Sequence, residues 1–423
     1  VINIIKDVKK ITDQIWEVPT TFKEGMRVPA RFYANERLMR GMDTQVFDQV
    51  TNVATLPGIV KYSFALPDSH SGYGFNVGGV AAFDPDEGGI ISPGGIGYDI
   101  NCGMRLIRTD LTYSDVKPHL KELVDLLFRY VPAGVGASAF DEKLGFFRLD
   151  RTEFMNMLET GSQWCLDKEF AWKEDLERTE LNGVAKEADN TKVSQRAVSR
   201  GINQVGTLGS GNHYLEIQRV EKNNIFDEKL AKKWGLFPDQ IVIMFHCGSR
   251  GFGHQVASDY IQSFLKVMTS KYKIHVPDDQ LACAPFDSPD GQDYYGAMMC
   301  GVNMSFANRQ MITHRIREAF SKVFNKDAED LGMHMIYDIA HNRGSLEEHK
   351  VDGKRKKLIV HRKGATSSFG PGRPEITKLY RSDGQPIIIG GSMETGSYLL
   401  VGTESAAQTF YSTCHGSGRT MSR

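Results

Sequence analysis

The chain has 423 residues, 40% hydrophobic and 24% charged, which suits a globular protein with a sizeable core built as one large domain or as two to three ordinary ones. A formal net charge of −1 excludes a global basic field, leaving a locally basic cleft as the only electrostatic route to a nucleic acid. No apolar run is long enough to span a bilayer, no signal-peptide layout opens the chain, and six scattered cysteines without a CxxC pair point to reduced thiols in the cytoplasm.

Short β-branched and apolar runs predict the first strands at GGVAAF (78–83) and MRLIR (104–108). Ser114 is placed to cap a helix whose apolar residues Val116, Leu120, Leu123, Val124 and Leu127 fall on one face. The polar, charged stretch 167–200 predicts a helical excursion over the surface. A strand follows at IVIMF (241–245), then helices near Gln255 to Met268 and Met304 to Phe324. Further strands are predicted at HMIYDI (334–339), KLIVH (357–361) and PIIIG (386–390), with a hairpin over 345–364 turning at Asp352–Gly353. No repeat or low-complexity linker divides the chain, and helices and strands do not alternate strictly. The expected fold is one mixed α+β domain over 1–423, with β-sheets flanked by helices.

Glycine is concentrated in five loops: GYGFNVGG (72–79), GGIISPGGIGYDINCG (88–103), GTLGSGNH (206–213), GSRGFG (248–253) and GGSMETG (390–396). Such loops turn sharply or let a ligand approach the backbone. Beside glycine or small residues at strand edges stand the metal-binding side chains of DINCG (99–103), GNHYLE (211–216), FHCGSRG (245–251) and DIAHN (338–342), with CHGSGR (414–419) in the tail. A lone histidine in such a place is more often hydrogen-bonded than ligating, and a lone cysteine is usually a small core residue. Together they form a candidate donor set of Asp99, Cys102, His213, His246, His341 and His415. Six donors exceed one tetrahedral zinc, so two ions sharing a ligand are expected, Mn²⁺ or Zn²⁺, with Cys102 favouring the softer ion. Paired metals suit phosphoryl chemistry, and spacing alone suggests a two-metal phosphoesterase. Arg200, Arg250, Lys363, Arg419 and Arg423 lie near these loops and support phosphate as the reacting group. Solvated surface charge is the default reading for each, outweighed for Arg250 and Arg419 by their place among glycines. No Walker-type loop is present.

Seven stretches, LPDSHSGYGF (66–75), SPGGIGYDINCGMR (92–105), GTLGSGNHYLEIQ (206–218), FHCGSRGFGHQ (245–255), DIAHN (338–342), HRKGAT (361–366) and STCHGSGRTMSR (412–423), occur in the order of the RtcB family. The sequence resembles these GTP- and Mn²⁺-dependent RNA-splicing ligases from near Pro29 to its last residue. The resemblance implies sealing of RNA ends bearing a 2′,3′-cyclic phosphate or 3′-phosphate to 5′-hydroxyl ends, as in tRNA splicing. His415 would be the nucleophile that takes GMP from GTP, and Asp68 an acidic residue needed for activity. Asp99, Cys102, His213, His246 and His341 would hold two manganese ions. Asn212, Glu216, Asn342, Ser392, Ser397, Ser417 and Gly418 would join His415 in contacting the guanine nucleotide. Arg200, Arg250, Lys363, Arg419 and Arg423 would hold RNA phosphates, and an archease activator is an expected partner. A phosphoesterase that opens cyclic phosphates without sealing, and a sealing-incompetent RNA-binding scaffold, are the alternatives.

Three departures from the family pattern stand out. Glu394 lies in SMET (392–395) where the family reads SMGT, and Cys247 replaces a threonine after the metal-binding histidine. The family also continues past the MSR motif into a segment whose terminal lysine contacts the guanine nucleotide. The expectation is a catalytic domain lacking that segment.

Overall fold

The computed structural model describes residues 8–134, 137 and 149–417. Gly418, Arg419 and Arg423 lie outside the described residues. Two sheets organise the chain. A seven-stranded sheet runs, in spatial order, Lys9–Lys10, Ile15–Val18, Ala30–Tyr33, Ile59–His70, Val77–Phe83, Lys354–Lys363 and Asn342–Val351. A four-stranded sheet runs Met335–Ala340, Gly103–Thr112, Gln240–Cys247 and Tyr214–Arg219, with every neighbour antiparallel.

The strand Gln240–Cys247 is buried along its whole length, because both faces of its sheet are covered. Ile243 and Phe245 pack with Ile312, Ile316 and Phe320 of the long helix Pro289–Phe324. Val242 and Met244 turn the other way, toward Ile388, Ile389 and Tyr380. Period-two alternation therefore assigns His246 to the second face. The expected mixed α+β architecture is borne out, with sheets flanked by helices.

The predicted hairpin is present: Val351 pairs with Lys354, and Asp352 (φ 49°) and Gly353 (φ 83°) supply the two left-handed residues of a tight turn. Three local expectations need correction. Thr112, with Asp115, caps the helical segment near 113 in place of Ser114, and a 3₁₀ turn at Lys117–His119, containing Pro118, resets the helical phase. Val124 is consequently 49% exposed and Leu120 37%, whereas Val116, Leu123 and Leu127 are buried. The long helix begins at Pro289, capped by Ser288, well before Met304. Its polar residues are buried on several sides, so no amphipathic period marks it. Finally, 167–200 is more than a surface excursion: Asp175 is fully buried against Arg317 (2.7 and 2.8 Å), and Glu180 is 3% exposed.

Candidate active site

Register builds the donor cluster. Gly103 sits opposite both Ala340 and Cys247, while His246 sits opposite Met104 and Tyr214. The residues one step beyond or within these pairs, His341, Cys102, His246 and His213, therefore meet at one end of the four-stranded sheet. Cys102 Sγ lies 3.2 Å from His213 Nε2 and 3.0 Å from His246 Nε2, and His246 Nε2 lies 3.1 Å from His341 Nε2. Asp99 Oδ2 is 2.8 Å from His213 Nε2, and its other oxygen accepts from Ser249 Oγ at 3.3 Å.

The rings are oriented for a cation. His213 Nδ1 is held by the Leu208 carbonyl at 2.9 Å and His246 Nδ1 by the Asn212 carbonyl at 3.1 Å. A proton on His246 Nδ1 leaves its Nε2 lone pair facing the Cys102 sulfur. His213 Nε2, by contrast, donates to Asp99, and although burial disfavours its charge, Cys102 and Asp99 raise its pKa well above the usual imidazole value. Burial, then the charge of neighbouring histidines, pushes His246 and His341 well below the usual imidazole value, keeping both neutral as ligands must be. Burial opposes ionisation of Asp99, but the His213 hydrogen bond and charge outweigh it and hold the carboxyl well below its usual range. Cys102, His213 and His246 have donor atoms close enough to share one ion. Sulfur and imidazole donors at one point, with the Asp99 carboxylate against His213, suit a transition-metal ion.

His415 stands next to this cluster, its ring centroid 4.9 Å from that of His341. It follows the strand Ser412–Cys414, which pairs with Ala365–Ser367 immediately after the His341 hairpin. Asp68, on Ile59–His70, lies 2.8 Å from His415 Nδ1 and accepts the backbone N–H groups of His415 (3.1 Å) and Gly416 (3.0 Å). Burial disfavours the Asp68 charge, but His415 and these hydrogen bonds outweigh it and lower its pKa.

The residues expected to contact nucleotide divide into two groups. Glu216, Ser392, Ser397 and Ser417 lie in one patch, as two hydrogen-bonded sets connected through the Gly391 N–H, which donates to Ser397 Oγ (3.2 Å), and the Gly396 carbonyl, which accepts from Ser417 Oγ (3.1 Å). Gln218 Nε2 donates to Glu216 (2.8 Å) and Ser397 (3.2 Å), and Thr395 links Ser392 and Ser417, each at 3.1 Å. Asn342, in contrast, is a loop staple, donating to the Asp99 carbonyl (3.1 Å) and accepting from Gly364 N–H (2.8 Å). Asn212 is exposed beside the cluster. Glu394 is exposed next to the fully exposed Met393.

The basic residues differ in setting. Arg200 is exposed and donates to Gln255 at 2.9 Å. Arg250 is 8% exposed, adopts φ 57°, and donates to Thr207 Oγ1 (3.1 Å). Space for its guanidinium requires glycine at 209, where a Cβ would come within 2.0 Å of Arg250 Nη1 and 2.7 Å of His213 Nδ1. Lys363 is buried and donates to the Tyr73 and Phe75 carbonyls (2.6 and 2.9 Å), and burial lowers its pKa to about 7. It therefore braces the 72–75 loop in this structure.

Sequence reading missed the support behind the donors. Fully buried Arg309 donates to the carbonyls of Asn101 (2.8 Å) and Cys247 (2.9 Å), each next to a donor residue, and forks onto Asp338 (2.7 and 2.8 Å). Arg105 also binds Asp338, at 2.7 Å. The available signal was the run of polar residues within a helical stretch at Asn303, Ser305, Asn308, Arg309 and Gln310.

Neutral imidazoles and a thiol gathered at strand ends, one ring away from a carboxylate-held histidine, make a metal-dependent enzyme centre. The chain belongs to the RtcB family, whose sequence model, described as tRNA-splicing ligase RtcB, matches residues 49–423. It is 52% identical to the tRNA-splicing ligase RtcB of Methanococcus maripaludis over 417 residues, 98% of this chain and 85% of that protein. It is 51% identical to that of Thermococcus kodakarensis, again over 98% of this chain and 84% of the relative. Identity to the Pyrobaculum aerophilum protein of the same name is 50%, over 98% and 85%.

Proposed function

We propose that this protein seals RNA through a covalent histidine–GMP intermediate at His415, using GTP and two manganese ions. Its family makes it an RNA ligase of tRNA splicing. The observation that carries the mechanism is the Asp68–His415 pair beside the donor cluster. A proton held on Nδ1 by Asp68 leaves Nε2 with the lone pair, and the carboxylate stabilises positive charge as the ring becomes a nucleophile. Attack on the α-phosphorus of GTP forms an N–P bond and expels pyrophosphate. The GMP then passes to an RNA 3′-phosphate, and a 5′-hydroxyl displaces GMP to close the phosphodiester. A cyclic phosphate is first opened by water to the 3′-phosphate.

Asp99, Cys102, His213, His246 and His341 would hold the ions, which when bound neutralise charge on the phosphates. The Glu216–Ser392–Ser397–Ser417 patch, with Asn212, is assigned to the guanine nucleotide, and Arg200 and Arg250 to RNA phosphates, which position a strand without reading its sequence. Archease is the proposed activating partner. Incubation with α-labelled GTP and Mn²⁺ should label the protein, and His415→Ala should abolish the label. Opening of a cyclic end without GTP, with no joined product, would instead favour the phosphoesterase alternative.

A further inference from the structure

Beyond the donor cluster, on the side of Asp99, lies an aromatic stack that the mechanism above does not use. Tyr98 immediately precedes Asp99, and its ring stacks on that of His254 (centroids 5.7 Å apart, planes at 24°). Tyr73 also meets Tyr98, edge-on, with centroids 5.5 Å apart. Tyr73 and Tyr98 are half-buried against the core, whereas His254 is exposed at the end of the stack. His254 stands one helical turn beyond Arg250 on the helix Arg250–Val267, next to Gln255, which binds the exposed Arg200. Among the described residues, neither Arg200 nor Arg250 forms an ion pair with a carboxylate.

An exposed aromatic ring backed by Tyr98, near the exposed Arg200 guanidinium and one helical turn from the largely buried Arg250, has the chemistry of a single-stranded nucleic-acid platform. Its rings take a base, while its cations take the adjoining phosphates. The alternative assignment is a ring stack that merely covers the 97–99 loop, but that role needs only Tyr98 and Tyr73, both already anchored. We propose that His254, backed by Tyr98, is a stacking ledge for the unpaired terminal base of an RNA whose end phosphate or hydroxyl lies at the donor cluster. This inference rests on the ligase reading and adds to it a preference for frayed, unpaired ends.

The test uses the full chain and ten-nucleotide single-stranded RNAs with 2-aminopurine at the terminal position, in two arms: a 3′-phosphate end and a 5′-hydroxyl end. A second pair of RNAs is abasic at that position. Binding to wild type should quench the 2-aminopurine in one arm, which identifies the strand held. In that arm His254→Ala should weaken binding about tenfold and His254→Phe should restore it, while the abasic RNA should bind wild type as weakly as the intact RNA binds His254→Ala. Equal affinity of wild type for intact and abasic RNA in both arms, or equal loss for both RNAs in His254→Ala, would overturn the ledge. Labelling of wild-type His415 by GTP is scored separately. Its absence with base-dependent binding intact removes the ligase reading and leaves the ledge, and its presence without base-dependent binding does the reverse.

Discussion

Asp68 holds His415 twice, at Nδ1 (2.8 Å) and at the His415 N–H (3.1 Å), and accepts the N–H of Gly416 as well (3.0 Å). One carboxylate thus fixes both the tautomer of the ring and the backbone turn that presents it. Asp68→Asn keeps the size of the side chain but removes the charge that favours an Nδ1 proton. Formation of the His415–GMP adduct should fall by about 10²–10⁴-fold while GTP binding changes little. Single-turnover labelling at saturating GTP measures this, and a loss confined to GTP affinity would contradict it.

The His415 strand is itself held by a buried ion pair. Phe410 and Tyr411 adopt consecutive left-handed conformations (φ 51° and 49°), costly for non-glycine residues. Arg362 donates to the Phe410 carbonyl and to Ser412 Oγ, both at 2.8 Å, while forking onto Glu347. Burial raises the Glu347 pKa, but the charge of Arg362 and hydrogen bonds from His349 and Arg362 outweigh it and lower it to about 2. A depressed carboxylate contributes stability above its unfolded value of about 4.5 and loses it as pH falls toward 2. Acid titration should therefore lower the Tm of wild type more steeply across this window than that of Glu347→Gln. At neutral pH, Glu347→Gln should cost about 3–5 kcal/mol by leaving a buried guanidinium unpaired. Asp175→Asn breaks a comparable buried pair with Arg317, away from the His415 strand. Both variants should lose stability, and only Glu347→Gln should slow adduct formation.

The donor loops were legible because glycine, histidine and cysteine at strand ends are locally conspicuous, and the hairpin because Asp352–Gly353 has turn chemistry. Convergence of the donors was not legible from spacing. It depends on Met335–Ala340 lying beside Gly103–Thr112, which lies beside Gln240–Cys247, and strand order is a non-local property. Asp175 and Glu180 fell within the stretch expected to cover the surface, and Arg309 drew no reading at all, since composition cannot reveal which charged side chains find buried partners. Lys363 shows the converse. A lysine in a phosphate-site motif proves to be tied to two carbonyls.

The donor geometry predicts a metal-linked stability. Saturating Mn²⁺ or Zn²⁺ should raise the Tm of the wild-type protein, by an amount equivalent to about 2.7 kcal/mol at 100 times Kd. A chelator should reverse the shift, and His246→Ala should abolish it, because His246 lies within 3.1 Å of both Cys102 and His341. Cys102→Ser replaces a soft donor by a hard one and should weaken Zn²⁺ more than Mn²⁺. Calorimetry and elemental analysis of the purified variants check each outcome. A Tm shift surviving in His246→Ala would place the ion elsewhere.

Glu394 is the departure that most directly challenges nucleotide binding, since a carboxylate near a triphosphate repels it. Its neighbours are pinned: Ser392 and Thr395 bond each other, and Thr395 bonds Ser417. Glu394 itself is exposed at the outer turn of this loop, beside the fully exposed Met393. A charge in water acts through high dielectric and is screened over about 8 Å at physiological salt, so its penalty on GTP should be small. Glu394→Gly should therefore lower the KM for GTP less than about threefold at 0.15 M salt, with a larger effect at 0.01 M, where the screening length is about 30 Å. Adduct formation at saturating GTP should be unchanged. A tenfold gain that persists at high salt would instead place the carboxylate in direct contact with the nucleotide, with the 392–395 turn rearranged around it.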